Sequence, residues 1–137
     1  MSKLTRFTVS LDDGLLDRFD KQIKAQGYPT RSKAVVDLIG DALVKEEWES
    51  GHEVAAAIIM VYDHHKRGLS TNLTHIQHDY HHLIVTSQHI HLDHSNCLEI
   101  VVVRGKPKEV RELAGKMKAT KGVKYASLSA ASTGKNL

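Results

Sequence analysis

The sequence predicts an α+β protein in two parts, a short strand–helix–helix (βαα) unit followed by a longer βαββαβ unit. Residues 6–11 alternate between polar and apolar, and two stretches with helical spacing follow them. From residue 54 onward, strand-like and helix-like stretches alternate in the order βαββαβ. The 137 residues are 41% hydrophobic and 26% charged, which is typical of a folded globular protein.

The βαα unit begins with a predicted strand at residues 6–11, where Phe7, Val9 and Leu11 share one face. Asp12 and Asp13 then provide a cap and a first-turn acid for a helix that runs to about residue 26. A second helix follows, capped by Thr30 or Ser32. Its apolar stripe consists of Ala34, Val35, Leu38, Ile39, Ala42 and Leu43.

A single strand has two open edges, and a βαα unit of about 45 residues buries little apolar surface by itself. Pairing the strands of two copies solves both problems. The sequence therefore predicts an intertwined dimer through this unit.

The second unit is predicted to follow a polar linker broken by glycine. We expect a βαα unit at residues 1–48, the linker at 49–53, the βαββαβ unit at 54–132 and a polar tail at 133–137. The predicted strands of the second unit are 54–62, 83–91, 97–104 and 123–130. The spacing of Leu69, Leu73, Ile76 and Tyr80 predicts one helix, and Pro107 begins another. This order is the split-βαβ, ferredoxin-like pattern.

Composition narrows the possible classes of protein. The longest strongly apolar run, residues 54–62, is far too short to span a membrane, and the single cysteine excludes an internal disulfide framework. We therefore expect a cytoplasmic protein with no membrane partner. The net charge is only +3, so any binding of nucleic acid must depend on a few well-placed groups.

Histidine is unusually concentrated in this chain. All ten histidines lie between His52 and His94, and seven fall within residues 75–94. Local enrichment of this kind indicates metal binding.

The most specific candidate ligands are His89, His91 and Cys97. The two histidines are two residues apart on a predicted strand, so both side chains leave the same face. A hairpin closed at residues 92–96 brings Cys97 near His91. Thiolate with imidazole suits zinc, copper or nickel and excludes calcium or magnesium.

A fourth ligand is needed to close such a site. The candidates are His75, His78 and His82, which share one face of the predicted helix. Because that face points away from its own sheet, any of them is able to complete the site of a neighbouring subunit. Spacing alone does not choose among the three.

An enzymatic alternative uses Cys97 as a nucleophile activated by His89 or His91. It needs an orienting acid, an oxyanion hole and a substrate cleft, and no motif for these is present. Glu99 orients a histidine equally well beside a metal. We therefore predict that the chain is not an enzyme.

A second set of residues fits DNA. In a paired ribbon, Arg6, Thr8 and Ser10 form an exposed polar face, and a two-stranded ribbon fits the major groove. Arg31 and Ser32, at the start of the second helix, are suited to a phosphate. The basic pair Lys66 and Arg67 adds candidate backbone contacts from the second unit.

With these residues the chain resembles the nickel-responsive repressors (NikR). The resemblance covers almost the whole chain and lies in Arg6-Phe-Thr8-Val-Ser10-Leu-Asp-Asp13, Gly27-Tyr28, Arg31-Ser32, Gln77-His78 and the stretch from His89 to Glu99. It implies a ribbon-helix-helix DNA-binding domain followed by an ACT-type domain that binds nickel and forms the tetramer.

The resemblance implies a ligand set of His89, His91 and Cys97 with His78 from a neighbouring subunit. It further implies a square-planar Ni(II) site, one per subunit, in a homotetramer built as a dimer of dimers. Tyr62, His64 and Glu99 match family positions beside the ligands.

One departure from the family concerns a cation held by two acids, one turn apart on the second helix. The second acid matches Asp37, but Lys33 occupies the position of the first. The lysine ammonium is expected either to replace that cation or to abolish the site. A serine at residue 10, where threonine is common, is expected to alter base preference slightly.

The predicted function is therefore a transcriptional regulator that binds operator DNA when loaded with Ni(II) and represses nickel uptake. One alternative is a regulator of the same architecture that responds to copper or zinc. Another is a metal storage or delivery protein, which would keep the ligands without binding an operator.

Overall fold

The structure is a computed structural model that describes residues 2–137. Its elements in chain order are α1 (Asp13–Ala25), α2 (Arg31–Ser50), β1 (Val54–Tyr62), α3 (Leu69–Asp79), β2 (Ile84–His91), β3 (Cys97–Gly105), α4 (Pro107–Ala119) and β4 (Val123–Ala130). The chain forms two compact units, one extending through Asp41 and one comprising Ala42–Leu137.

The segment before α1 differs from the strand predicted at residues 6–11. Residues 2–12 contain no helix or strand in the single chain. A strand needs hydrogen bonds from a neighbouring strand, and this chain offers none to the segment. Phe7 and Val9 are accordingly 67% and 56% exposed. The apolar alternation is thus unpaired surface, and the two-chain ribbon stays a prediction.

The two N-terminal helices begin and end at residues with a local reason to do so. The Asp12 carboxylate caps α1 by accepting from the backbone N of Gly14 at 2.9 Å. Gly27, at φ 80°, follows the end of this helix. At the start of α2, Thr30 Oγ1 accepts from the backbone N of Lys33 at 3.1 Å, so Thr30 is the cap and Ser32 is not.

The last turns of α2 belong to the second unit, and the helix passes the predicted boundary at residue 48. Glu47 and Trp48 are only 3% and 6% exposed, and Trp48 Nε1 donates to the carbonyl of Ala131 at 2.8 Å. Burial of these side chains keeps the helix intact through Ser50. Gly51, at φ 83°, then turns the chain toward β1. Part of the predicted linker is therefore helix.

The second unit has the predicted βαββαβ order. Its four strands form an antiparallel sheet in the order β2-β3-β1-β4. Alternate side chains of β1 are buried against apolar residues of α3 and α4, so the core lies between the helices and one face of the sheet. The helix residues in this core include Leu69, Leu73, Val110, Leu113 and Met117.

The sheet order determines which side chains meet at one end of the sheet. Cys97 begins β3 and lies opposite His91 of β2 on one side and Tyr62 of β1 on the other. Seven of the eight residues of the edge strand β2 are exposed, whereas Cys97 is buried. This end of the sheet therefore joins an accessible edge to the core.

Among residues 2–137, no helix combines the length and the apolar character needed to cross a membrane.

Candidate metal centre

A tightly bonded loop holds the two strands that carry the candidate ligands. Asp93 Oδ1 accepts from the backbone N atoms of Ser95 and Asn96, both at 2.9 Å. Leu92 N donates to the carbonyl of Asn96 at 2.9 Å and closes the hairpin. Bonds from Asn96 hold the pKa of the Asp93 carboxyl below its ordinary value. The loop therefore holds Cys97 opposite His91.

Two of the candidate ligands, His89 and Cys97, lie side by side. His89 Nδ1 lies 3.9 Å from Cys97 Sγ. The side chain of His89 is 55% exposed, whereas Cys97 is 1% exposed. A buried sulfur thus lies beside an accessible imidazole.

His91 lies on the same face of the sheet as this pair. It is two residues from His89 on β2 and directly opposite Cys97, and both relationships place the side chains on one face. Its ring packs edge-on against that of His64, with centroids 4.8 Å apart. A sulfur and two imidazoles on one face are a donor set that suits Ni(II), Cu(II) or Zn(II), so these residues fit a nickel ion.

Glu99 is a buried carboxylate that connects three elements next to these ligands. It is 1% exposed and accepts from Tyr62 Oη at 2.8 Å and from Gln77 Nε2 at 3.0 Å. Its Oε2 also lies 3.1 Å from His89 Nε2. The carboxylate therefore orients His89 and links it to β1 and α3.

Tyr62 is enclosed in the same network. Burial, and to a lesser extent the hydrogen bond to Glu99, raise the pKa of the Tyr62 hydroxyl far above its ordinary value. The phenol therefore stays protonated and donates to the carboxylate at neutral pH. Its Oη is also 3.3 Å from His89 Nδ1.

Gln77 is a residue of this network that the sequence reasoning did not select as a site residue. It is half-buried on α3, next to the apolar position Ile76. The available signal was its place directly before His78, but an amide has no distinctive spacing. Only the packing of α3 on the sheet shows that it contacts Glu99.

His78 is not brought to these ligands within one chain. It is exposed on α3, and its ring stacks beside that of His81 with centroids 5.9 Å apart. Neighbouring residues on a helix point about 100° apart, so Gln77 contacts Glu99 while His78 faces another direction. An outward-facing histidine is the arrangement that a subunit-bridging ligand requires.

His64 lies at the margin of the same group. Its Nδ1 is buried and has no hydrogen-bond partner among the described residues. Burial, together with the neighbouring rings of His65 and His91, lowers the pKa of His64. The ring is therefore neutral at physiological pH.

The candidate DNA-binding residues all have exposed side chains. Arg6, Thr8 and Ser10 lie in the unpaired segment, and Lys66 and Arg67 lie between β1 and α3. These five side chains and that of Ser32 are all accessible.

Arg31 has a partner within its own unit. Its Nε and Nη2 donate to the two carboxylate oxygens of Asp20 at 2.8 and 2.7 Å. The bidentate pair positions the guanidinium and engages two of its donors.

Lys33 and Asp37 form an ion pair one turn apart on α2. Lys33 Nζ lies 2.6 Å from Asp37 Oδ1, and Tyr28 Oη donates to Asp37 Oδ2 at 2.9 Å. An ammonium therefore already occupies the position at which a cation would bind this carboxylate.

The fold and the site define a class of protein, one with a ferredoxin-like domain that carries candidate ligands for a soft or borderline metal at one end of its sheet. Residues 55–131 match the family described as "NikR C terminal nickel binding domain". The chain belongs to the family of nickel-responsive regulators.

Similar proteins agree with this assignment over the full length. Proteins from Desulfovibrio desulfuricans and Syntrophus aciditrophicus, each named "Putative nickel-responsive regulator", are 50% and 51% identical to this chain. The matches cover 100% and 98% of this chain and 99% and 98% of those proteins. A protein from Chlorobium limicola with the same name is 50% identical over 98% of this chain and its own whole length. These relatives are named as regulators, which is a non-enzymatic role, and this confirms the prediction that the chain is not an enzyme.

A likeness to a solved structure supports the fold alone. An uncharacterised protein from Thermotoga maritima has a TM-score of 0.53 at 11% identity. The match covers 58% of this chain and 98% of that one.

Proposed function

We propose that this protein is a transcriptional regulator that binds operator DNA when loaded with Ni(II) and represses nickel uptake. The observation that carries the proposal is the placement of His89, His91 and Cys97 on one face at the open end of the sheet. These three side chains, with one more donor, would hold a Ni(II) ion, and its bonds would join them to that donor.

The fourth donor in this proposal is His78 of a neighbouring subunit. Its exposure on α3 and the 1% exposure of Cys97 support a site that a second chain completes. We further propose one nickel ion per subunit and a homotetramer built as a dimer of dimers, as the resemblance to the NikR family implies. Chain association and metal binding are then coupled through the same ligands.

Within each chain, the network around Glu99 connects the ligands to α3. Glu99 contacts His89, and Gln77, which precedes His78 on the helix, donates to Glu99. The position of α3 therefore depends on how the ligands are held. Lys66 and Arg67 precede α3, so ordering of this helix orders two cations suited to the DNA backbone.

Base recognition is assigned to the segment before α1. Arg6, Thr8 and Ser10 supply a bidentate cation and two hydroxyls on one face of the predicted ribbon. Phosphate contact at the start of α2 is assigned to Ser32 and to Arg31, which is hydrogen-bonded to Asp20. Metal can favour the binding-competent arrangement only by binding it more tightly than the alternatives.

Two other functions share these ligands. Copper exceeds nickel in intrinsic affinity for most nitrogen and sulfur sites, so a copper or zinc regulator differs from our proposal only in its metal. A storage or delivery protein differs in not binding an operator, and the polar face at Arg6 argues against it.

The test is operator binding in a gel-shift assay against a series of metals. It compares wild type and Cys97→Ala with the matched control His52→Ala, which removes an exposed histidine before β1, at the opposite end of that strand from Tyr62. We expect nickel-dependent binding in wild type and in His52→Ala, and loss of the nickel response in Cys97→Ala. Binding that ignores every metal would defeat the sensor assignment. A response to copper or zinc alone would change the metal but keep the regulator.

A further inference from the structure

The segment that follows β4 is hydrogen-bonded to the last turns of α2, although the two are far apart in the chain. Trp48 Nε1 donates to the carbonyl of Ala131 at 2.8 Å, and Ser132 Oγ donates to Glu47 Oε1 at 2.9 Å. The backbone N of Ala131 also donates to the carbonyl of Ala55 on β1 at 2.9 Å. The segment therefore connects the end of α2 to the sheet.

A short turn within this segment holds the hydroxyl of Ser132. Ser132 Oγ accepts from the backbone N of Gly134 at 3.0 Å while it donates to Glu47. Gly134 has φ 80°, a left-handed conformation that glycine adopts at little cost. A hydroxyl that accepts one bond and donates another is fixed in direction. The turn thus directs the hydroxyl at the carboxylate.

We propose that residues 131–134 form a releasable clasp on Glu47 and Trp48, and that the closed clasp is required for full operator affinity. The second half of this inference rests on the operator binding proposed above. Because α2 is one helix from Arg31 to Ser50, it joins the residue assigned to phosphate contact to the clasp. A helix held firmly at one end has fewer directions open to its other end.

Burial of Trp48 favours the closed clasp. Its side chain is 6% exposed, and the guanidinium of Arg111 lies 5.2 Å from the centroid of its ring. Burial of an indole with its N–H bonded, together with a cation over its face, stabilises this contact. Opening the clasp loses these interactions.

Glu47 favours release. Its side chain is 3% exposed, and its Oε2 is buried without a hydrogen-bond partner in the part of the chain that the structure describes. A buried carboxylate oxygen that lacks a partner is costly, and opening the clasp returns it to water. The gain at Trp48 and the cost at Glu47 oppose each other. The clasp can therefore open locally while the sheet stays folded.

The clasp and the candidate nickel ligands lie at opposite ends of β1. The segment bonds to Ala55, near the start of the strand, whereas Tyr62 at its other end lies opposite Cys97. Opening of the clasp thus leaves the ligands in place. A change in the clasp should alter operator affinity without altering nickel affinity.

The first test measures hydrogen exchange of the backbone amides at residues 45–50 in the full-length chain. Ser132→Ala leaves both carboxylate oxygens of Glu47 without a donor, so we expect exchange there to be faster by about 10-fold. Glu47→Gln keeps the acceptor and removes the buried charge, so exchange should become slower. The matched control is Asn136→Ala, an exposed position in the same tail, which should change nothing.

Circular dichroism checks that each variant is folded. If Ser132→Ala does not fold, Trp48→Phe, which loses chiefly the bond to Ala131, should also speed exchange at residues 45–50. Unchanged exchange in a folded Ser132→Ala would overturn the clasp. Exchange in Glu47→Gln that is no slower than in wild type would overturn its release by the buried charge.

The second test measures operator affinity by gel shift at saturating nickel, and nickel affinity by competition with a chelator. Ser132→Ala should bind operator about 3- to 10-fold more weakly than wild type and Asn136→Ala, with unchanged nickel affinity. Faster exchange with unchanged operator affinity would overturn the role of the clasp in DNA binding. A wild type that binds no operator contradicts the proposed function instead, and hydrogen exchange still decides whether the clasp exists.

Discussion

Glu99 shows how one buried side chain affects both stability and the metal centre. A carboxylate that is 1% exposed is costly unless its oxygens are bonded, and here Tyr62, Gln77 and His89 bond to it. Its position two residues from Cys97 on β3 places those bonds directly beside the candidate ligands.

Replacing Glu99 by glutamine should lower both the stability of the fold and the affinity for nickel. The amide cannot accept from all three partners, so we expect a loss of about 1.5–3 kcal/mol in the free energy of unfolding. Nickel affinity should fall by about 10- to 100-fold, because the support of His89 is lost. Urea unfolding and nickel competition against a chelator measure the two effects.

Tyr62→Phe is the matched control, since it removes one donor and keeps the ring. We expect Tyr62→Phe to lower the free energy of unfolding by about 1 kcal/mol. Unchanged nickel affinity in Glu99→Gln would show that this carboxylate supports the fold but not the metal centre.

The ion pair between Lys33 and Asp37 predicts that operator binding does not depend on a potassium ion from solution. The bond from Lys33 holds the pKa of Asp37 below its ordinary value, so the ion pair persists at neutral pH and is lost only as the pH falls into the acid range. Because the ammonium already neutralises this carboxylate, replacing potassium by a bulky organic cation at constant ionic strength should leave operator affinity unchanged. Gel shifts in the two buffers measure this, and a large loss of affinity without potassium would contradict it.

At the scale of elements, α2 illustrates how tertiary contacts extend a helix. The stretch at residues 46–53 is polar and contains a glycine, so local pattern predicts an early end. Trp48 instead packs into the core, and Arg111 lies over its ring at 5.2 Å from the centroid. Packing of one aromatic side chain therefore overrides the polar character of its neighbours.

Truncating Trp48 should destabilise the second unit. We expect Trp48→Ala to lower the free energy of unfolding by about 3–5 kcal/mol. Trp48→Phe, which loses chiefly the bond to Ala131, should cost about 1 kcal/mol. Urea unfolding followed by circular dichroism measures the free energy of unfolding of both variants. The control is Val85→Ala, at a position that is 63% exposed, and we expect it to change this free energy by less than about 0.5 kcal/mol.

At the scale of the whole molecule, the two units are stabilised in different ways. Residues Ala42–Leu137 bury a continuous core between sheet and helices. The unit through Asp41 exposes Phe7, Val9, Leu11 and Leu15, and among residues 2–41 only Ile23 and Ala34 are buried. We therefore expect a partner copy to cover these apolar side chains.

Two substitutions at neighbouring residues should separate pairing of this unit from recognition of DNA. Val9→Asp places a charge on the apolar face, so we expect loss of hydrogen-exchange protection in α1 and loss of operator binding. Ser10→Asp places the same charge on the polar face and should lose operator binding only. Nickel affinity should be unchanged in both, and full protection of α1 in Val9→Asp would contradict the paired ribbon.

Much of the fold could be predicted because its signals are local. The bounds of β1 and β4 agree with the predicted ranges. The polar residues Glu53 and Asp63 flank β1, and Gly122 precedes β4. Pro107 correctly marks the start of α4, because proline is favoured at a first helical turn. In contrast, no local signal in the segment at residues 6–11 supplies the second strand that pairing needs.

The sequence alone determined the element order, the ferredoxin-like pattern and the grouping of His89, His91 and Cys97 at one hairpin. These depend on periodicity and on spacing within about ten residues. The tertiary structure alone showed the bonds of Glu99 to β1 and α3, the approach of His65 to His94, and the burial of Trp48. Each of these contacts joins residues more than 20 positions apart, and such contacts are set by how the elements pack and not by any pattern along the chain.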